Sequence, residues 1–266
     1  MNKSNNIKPM KNIVKVLCLT AMIMCVGATV QAQSYIRQSI YLNGNIPTGN
    51  FGSSASEGPN LSTIFTGTTT FPTSGVPLTY EQIGKDASVG FGLGYRVSYR
   101  FDVGVGEVAP FINADFLWNT ISSKWRDKYS DAYYSAPTYF NIPVMGGVSY
   151  IYDELPWSDI SAFGEFGIGS DFLWITSEGK GDGNERFAYK STFAFAWMIG
   201  AGAYFGQHVS AGIYYYGLGK HPIDYSNSTM ENNLYANGQV SANDAAGKGR
   251  QQRTVGSIML RIGFHF

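Results

Sequence analysis

From Val89 to Phe101 the chain alternates without a break. Val89, Phe91, Leu93, Tyr95, Val97, Tyr99 and Phe101 are apolar or aromatic, while Ser88, Gly90, Gly92, Gly94, Arg96, Ser98 and Arg100 are small, polar or charged. Strand side chains point to opposite faces with period two, so the pattern predicts a strand with one bulky apolar face and one small or ionic face. The thirteen alternating positions exceed the five or six residues of an ordinary soluble strand and match a tilted membrane crossing. The C-terminal stretch Thr254–Phe266 repeats the design. Gly256, Ile258, Leu260, Ile262, Phe264 and Phe266 share one face, and Ser257, Met259, Arg261, Gly263 and His265 the other.

The same alternation recurs at Ile36–Ile46, at about Glu107–Thr120, at Thr138–Tyr152, at Ile160–Ile175, from Phe193 to Phe205 and from Val209 to about Leu218, which makes eight predicted strands. The connections sort by length. Residues 46–86, 121–137, 176–186 and 219–252 are long and polar, whereas 102–106, 153–159 and 206–208 are short. Long loops at one end and short turns at the other, with an even strand count, predict an all-β, eight-stranded antiparallel up-and-down transmembrane β-barrel with both termini at the short-turn end. Pro143 is a local departure, since a residue without an N–H belongs on an edge strand.

A final strand ending in Phe266, with apolar residues at every second position before it, resembles the assembly signal of bacterial outer-membrane barrels; Phe264 and Phe266 carry that resemblance. The segment Phe140-Asn-Ile-Pro-Val144 is similar to the fourth-strand motif of the same group, the small eight-stranded outer-membrane β-barrels, in particular the OmpA-like β-barrel domains of Bacteroidota. The resemblance implies location in the outer membrane with periplasmic termini. It implies contact with outer-membrane lipid and lipopolysaccharide and insertion by the barrel-assembly machinery. It identifies an architecture and names no ligand.

Composition refines this picture. All charges among the first 32 residues are lysines, Lys3, Lys8, Lys11 and Lys15, and an apolar run from Val16 to Val30 ends in Val30-Gln31-Ala32. That pattern predicts a secretory signal peptide, residues 1–32, with cleavage after Ala28 as the alternative, leaving 33–266 as the barrel. Without those lysines the 19 basic side chains fall to 15 against 19 acidic, about four net negative charges, so no nucleic-acid surface is implied. Both cysteines, Cys18 and Cys25, lie in the leader, so the mature chain has no disulfide framework, thiol nucleophile or zinc-thiolate site.

The inward faces carry Arg96, Arg100 and Arg261 against Asp115, Glu165 and Asp171, with Glu107 a further carboxylate. An ion buried alone costs several kcal/mol, so the expectation is a cross-lumen cluster, Glu165 with Arg96 or Arg261, that plugs a barrel too narrow for a diffusion pore. On the outside, Trp118, Trp174 and Phe140 near the loops, and Tyr99, Phe101, Tyr150, Tyr152, Phe205, Phe264 and Phe266 near the turns, predict two aromatic belts. No metal-binding histidine pair, nucleophile elbow, phosphate loop or dinucleotide fingerprint occurs, so no catalytic residue, metal or cofactor is expected. The reading is a non-enzymatic barrel with a structural or surface-interaction role in its long loops. Two alternatives accompany it: an accessory barrel of a secretion or surface-assembly system, and a lipid A-modifying hydrolase using His221, placed at an outer loop, with Ser226 or Ser228.

Overall fold

The computed structural model describes residues 36–53, 86–123, 126–127, 136–153, 155, 159–179, 186–227 and 248–266. The proposed leader and most of the long loops lie outside the described residues. Eight long strands form the wall: β1 (Ile36–Thr48), β2 (Gly90–Tyr99), β3 (Glu107–Thr120), β4 (Thr138–Tyr152), β5 (Ile160–Ile175), β6 (Thr192–Phe205), β7 (Val209–Asn227) and β8 (Lys248–His265). Each pairs antiparallel with the next, and β8 pairs with β1, so the sheet closes on itself. The chain is an all-β, eight-stranded antiparallel closed barrel.

Register sets its dimensions. Successive paired residues run from Arg37 through Ser98, Phe111, Gly147, Gly167, Met198, Tyr216 and Ser257 to Pro47. One circuit therefore climbs β1 from residue 37 to residue 47, and such a stagger requires strands tilted by roughly 35–45° to the barrel axis. The start of β1 and the end of β8 meet at the short-turn end, where the Gln38 N–H donates to the Phe266 carbonyl oxygen and the Phe266 N–H to the Gln38 carbonyl, both at 3.0 Å. One short connection there, after Phe101–Asp102, uses Gly104 and Gly106 at φ 89° and 94°, and the Asp102 carboxylate accepts the Gly104 N–H at 2.8 Å.

Two local expectations need correction. β2 ends at Tyr99, and Phe101–Asp102 pairs with β3 as a separate short segment. Residues 219–227 and 248–253 are strand, where the sequence read as loop, and their ladder runs from Gly219↔Val255 to Ser226↔Lys248. The alternation slips there because the register shifts between Gly217 and Gly219, a bulge that Gly219 accommodates at φ 90°. Pro143 sits in β4 with strands on both sides; a closed barrel has no edge, and the β3 ladder skips the pair containing Pro143 between Ala114↔Val144 and Leu117↔Asn141.

The two faces of the wall are chemically inverted relative to a soluble protein. Phe91, Leu93, Ile112, Ile168, Ile213 and Ile262 point outward and are each more than half exposed. Inside are Asn43, Arg96, Asn113, Asp115, Glu165, Asp171 and Arg261, all buried. Packing in the lumen is close: a Cβ built on Gly94 would lie 2.0 Å from Asp115 Oδ1, and one on Gly200 2.1 Å from the Tyr214 ring. Towards the long-loop end the filling turns apolar. Ile121, Tyr139, Leu173, Ile175, Ile223 and Val255 are buried there, joined by Phe51 from a helical turn at Gly49–Gly52 that packs edge-on against Tyr139.

Candidate functional site: the charged lumen

Alternation decides which side chains enter the lumen, and the stagger decides which of them meet. Arg96 on β2 reaches Glu165 on β5, with Nη1 2.6 Å from Oε2 and both side chains almost wholly buried. The Arg96 guanidinium lies 3.9 Å from the centre of the Phe111 ring and 5.2 Å from that of Tyr41, so its flat face is covered by aromatic rings as well as by its counter-ion.

Arg261 on β8 makes the second central pair. Its Nη2 donates to both carboxylate oxygens of Asp115 at 2.9 Å and to Tyr216 Oη at 2.8 Å, while its Nε donates to Asn43 Oδ1 at 2.8 Å. Asp115 accepts three further hydrogen bonds, from Asn43 Nδ2 at 3.0 Å, Asn113 Nδ2 at 2.7 Å and Tyr216 Oη at 3.0 Å. Four strands thus converge on one carboxylate. Hydrogen bonds that satisfy the remaining lone pairs are what let a buried ion pair repay its desolvation.

The other named charges stand apart from this centre. Arg100 pairs with Glu107 at 2.6 Å near the short-turn end, where both remain partly exposed. Asp171 lies towards the long-loop end, 3.1 Å from His221 Nε2, and both side chains are fully buried. His221 Nδ1 is 2.8 Å from Thr192 Oγ1, and its Nε2 is 2.9 Å from the Leu218 carbonyl oxygen. This corrects the outer-loop position inferred for His221: it faces inward from β7. Ser228 and the side chain of Ser226 lie outside the described residues. Phe264 and Phe266 both face outward at the short-turn end.

Several interior groups carried no signal in the sequence beyond their parity. His265 bridges the closure of the barrel, its Nδ1 2.7 Å from Ser39 Oγ on β1 and its Nε2 2.8 Å from Ser210 Oγ on β7. Tyr204 receives the guanidinium groups of Arg37 and Arg100, 5.7 and 5.0 Å from its ring centre. Among the described residues no group of three or more histidine, cysteine or carboxylate side chains is arranged to hold a metal ion.

Outside, near the long-loop ends of β2 to β5, aromatic rings follow one another around the wall. Phe91 and Trp118 are 5.0 Å apart between centres, Trp118 and Phe140 6.1 Å, and Phe140 and Trp174 5.0 Å. Near the turns, Tyr99 and Phe101 form a further pair at 4.6 Å.

Comparison with solved structures finds bacterial surface and outer-membrane proteins. Neisserial surface protein A is 12% identical, with 86% of this chain and 95% of that one covered and a TM-score of 0.42. The outer membrane protein OprG from Pseudomonas aeruginosa is 10% identical over 87% of this chain and 95% of its own, with a TM-score of 0.42. Ail, the attachment invasion locus protein of Yersinia pestis, is 14% identical over 88% of this chain and all of its own, with a TM-score of 0.34. No protein-family model matches the chain, and no curated protein sequence does.

Proposed function

We propose that the chain is a non-enzymatic integral protein of the bacterial outer membrane, with a plugged lumen and a structural or surface-interaction role carried by its long loops. The observation that carries this reading is the inversion of the wall, with ions and amides sealed inside and large apolar side chains bare outside. A bare apolar band around a closed barrel matches a hydrocarbon solvent, and closure satisfies every strand edge within it. In this reading residues 1–32 direct export, the termini and short turns face the periplasm, Phe264 and Phe266 engage the assembly machinery, and the outer face meets lipid and lipopolysaccharide.

The plug has two layers. The Arg96–Glu165 and Arg261–Asp115 pairs cross the middle, and the apolar group around Leu173, Ile175 and Ile223 fills the level above. Burial of His221 beneath that apolar group speaks against a lipid A hydrolase, whose histidine would have to face the outer leaflet. The role as accessory to a secretion or surface-assembly system would reside in the short turns.

Fractionation tests the reading. The mature chain should appear in the outer membrane, migrate on SDS gels as a compact band that slows on boiling, and give no steady conductance in planar bilayers. Recovery in the soluble periplasm would refute membrane insertion, and a steady open channel would refute the plug.

A further inference from the structure

Among the described residues, one inward cation at the short-turn end of the lumen, Arg37, makes no ion pair with a side-chain carboxylate. Among the described inward residues, Asp115 meets Arg261, Glu165 meets Arg96, Glu107 meets Arg100 and Asp171 meets His221. Arg37, near the start of β1, has no such partner. Its Nη2 donates to the Gln207 carbonyl at 2.5 Å, and its guanidinium carbon stands 5.7 Å from the centre of the Tyr204 ring. Arg100 stands over the same ring at 5.0 Å, so one aromatic platform gathers both cations at the mouth.

A second observation points to a missing acceptor. Arg100 commits Nη1 to Glu107, while its Nε and Nη2 are buried without a hydrogen-bond partner. Higher in the lumen, on β2, Arg96 is more than nine-tenths buried, and its Nε and Nη2 also lack a hydrogen-bond partner. Unmet buried donors are costly, and more so when charged. At the level of Arg96 the unmet groups include an acceptor, Glu165 Oε1, and the hydroxyl Ser149 Oγ, a mixture that water satisfies. At the mouth the unmet groups are two cationic donors of Arg100, with Arg37 standing at the same ring.

We propose that the short-turn mouth of the lumen binds a small oxyanion, a phosphate or carboxylate group, between Arg37 and Arg100 beside the Tyr204 ring. Guanidinium forks match the spacing of oxyanion oxygens, and charge-assisted bonds of this kind are the strong ones. Glu107 neutralises one of the two cations and confines the anion to the Arg37 side. The phosphate could belong to a soluble anion or to a lipid headgroup at the same end of the barrel.

The test uses the folded mature barrel with arginine side chains labelled for NMR. One arm titrates inorganic phosphate into maltoside micelles, with chloride at matched ionic strength as control. The other compares nanodiscs of phosphatidylglycerol with phosphate-free maltoside micelles. A saturable shift of the Arg37 and Arg100 Nε–H signals is expected in the first arm for a soluble anion, or in the second for a headgroup. Arg37→Gln should weaken it about tenfold or more, the loss of one charge-assisted contact. Arg126→Gln, on an exposed residue near the long-loop end, should leave it unchanged and stay as compact on gels. No saturable shift in either arm, an equal response to chloride, or unchanged affinity in Arg37→Gln would overturn the proposal.

Discussion

Replacing Asp115 by Asn removes one charge from the centre of the lumen and leaves the volume almost unchanged. In the native barrel this carboxylate accepts from Arg261, Asn43, Asn113 and Tyr216, all within 3.0 Å, and it is the only ion-pair partner of Arg261 among the described residues. The variant would hold a buried guanidinium opposite a neutral amide whose NH₂ group meets donors. Breaking one side of a buried pair costs about 3–5 kcal/mol, and because both side chains are almost fully inside the wall no discount for solvent screening applies. At 3 kcal/mol the ratio of folded to unfolded barrel falls more than a hundredfold. The assay is urea unfolding in lipid vesicles, followed by the gel-mobility difference between folded and unfolded forms. The double variant Asp115→Asn with Arg261→Met should recover part of the loss, because the stranded charge is gone. A loss below about 1 kcal/mol in the single variant, or simple additivity in the double, would refute the reasoning.

Other outcomes follow from the packing. Gly94→Ala places a methyl group against Asp115 Oδ1 and should cost about 1–3 kcal/mol in the same assay, whereas Gly44→Ala, outward with nothing within 4 Å of its Cβ, should stay within about 0.5 kcal/mol. Glu165→Gln should leave planar bilayers as silent as the native protein, because the apolar group around Leu173 and Ile223 still closes the lumen; a steady channel in the variant would show that the ion pair is the only seal. Phe266→Ala should lower the yield of barrel inserted in cells without lowering the stability of the refolded protein, read by fractionation against urea unfolding.

The wall was legible because period two is a strong signal wherever turns bound it. β3, β4 and β5 begin directly after Gly106, Pro137 and Asp159, β4 ends directly before Asp153, and the closing pair β1–β8 follows from an even count of alternating segments. Past Leu218 that signal fails. The bulge at Gly219 shifts the parity, and Lys220, Asp224 and Ser226 have the composition of a loop, although the ladder with β8 continues. The face of each charged residue could be read from its parity, but not its partner. Arg96 and Glu165 are three strands apart around the wall, and only the stagger brings them level. The apolar filling at the loop end was missed because Leu173, Ile175 and Ile223 stand on the face otherwise reserved for small and ionic residues. For Leu173 and Ile175 the signal, inward parity combined with aliphatic character near a long loop, is present in the sequence, whereas the bulge at Gly219 hides it for Ile223.

The central claim is that the outward residues meet hydrocarbon and the inward residues meet one another. Because both native cysteines lie in the first 32 residues, single cysteines can be placed along β2 of a chain lacking those residues and spin-labelled. Collision rates with oxygen and with a water-soluble nickel complex then report lipid and water contact at positions 91 to 97, in barrels reconstituted into bilayers. High oxygen and low nickel accessibility at Phe91, Leu93 and Val97, alternating with low accessibility to both reagents at Gly92, Gly94 and Arg96, is the predicted result. Nickel accessibility at Phe91 and Leu93, or loss of the alternation, would contradict it.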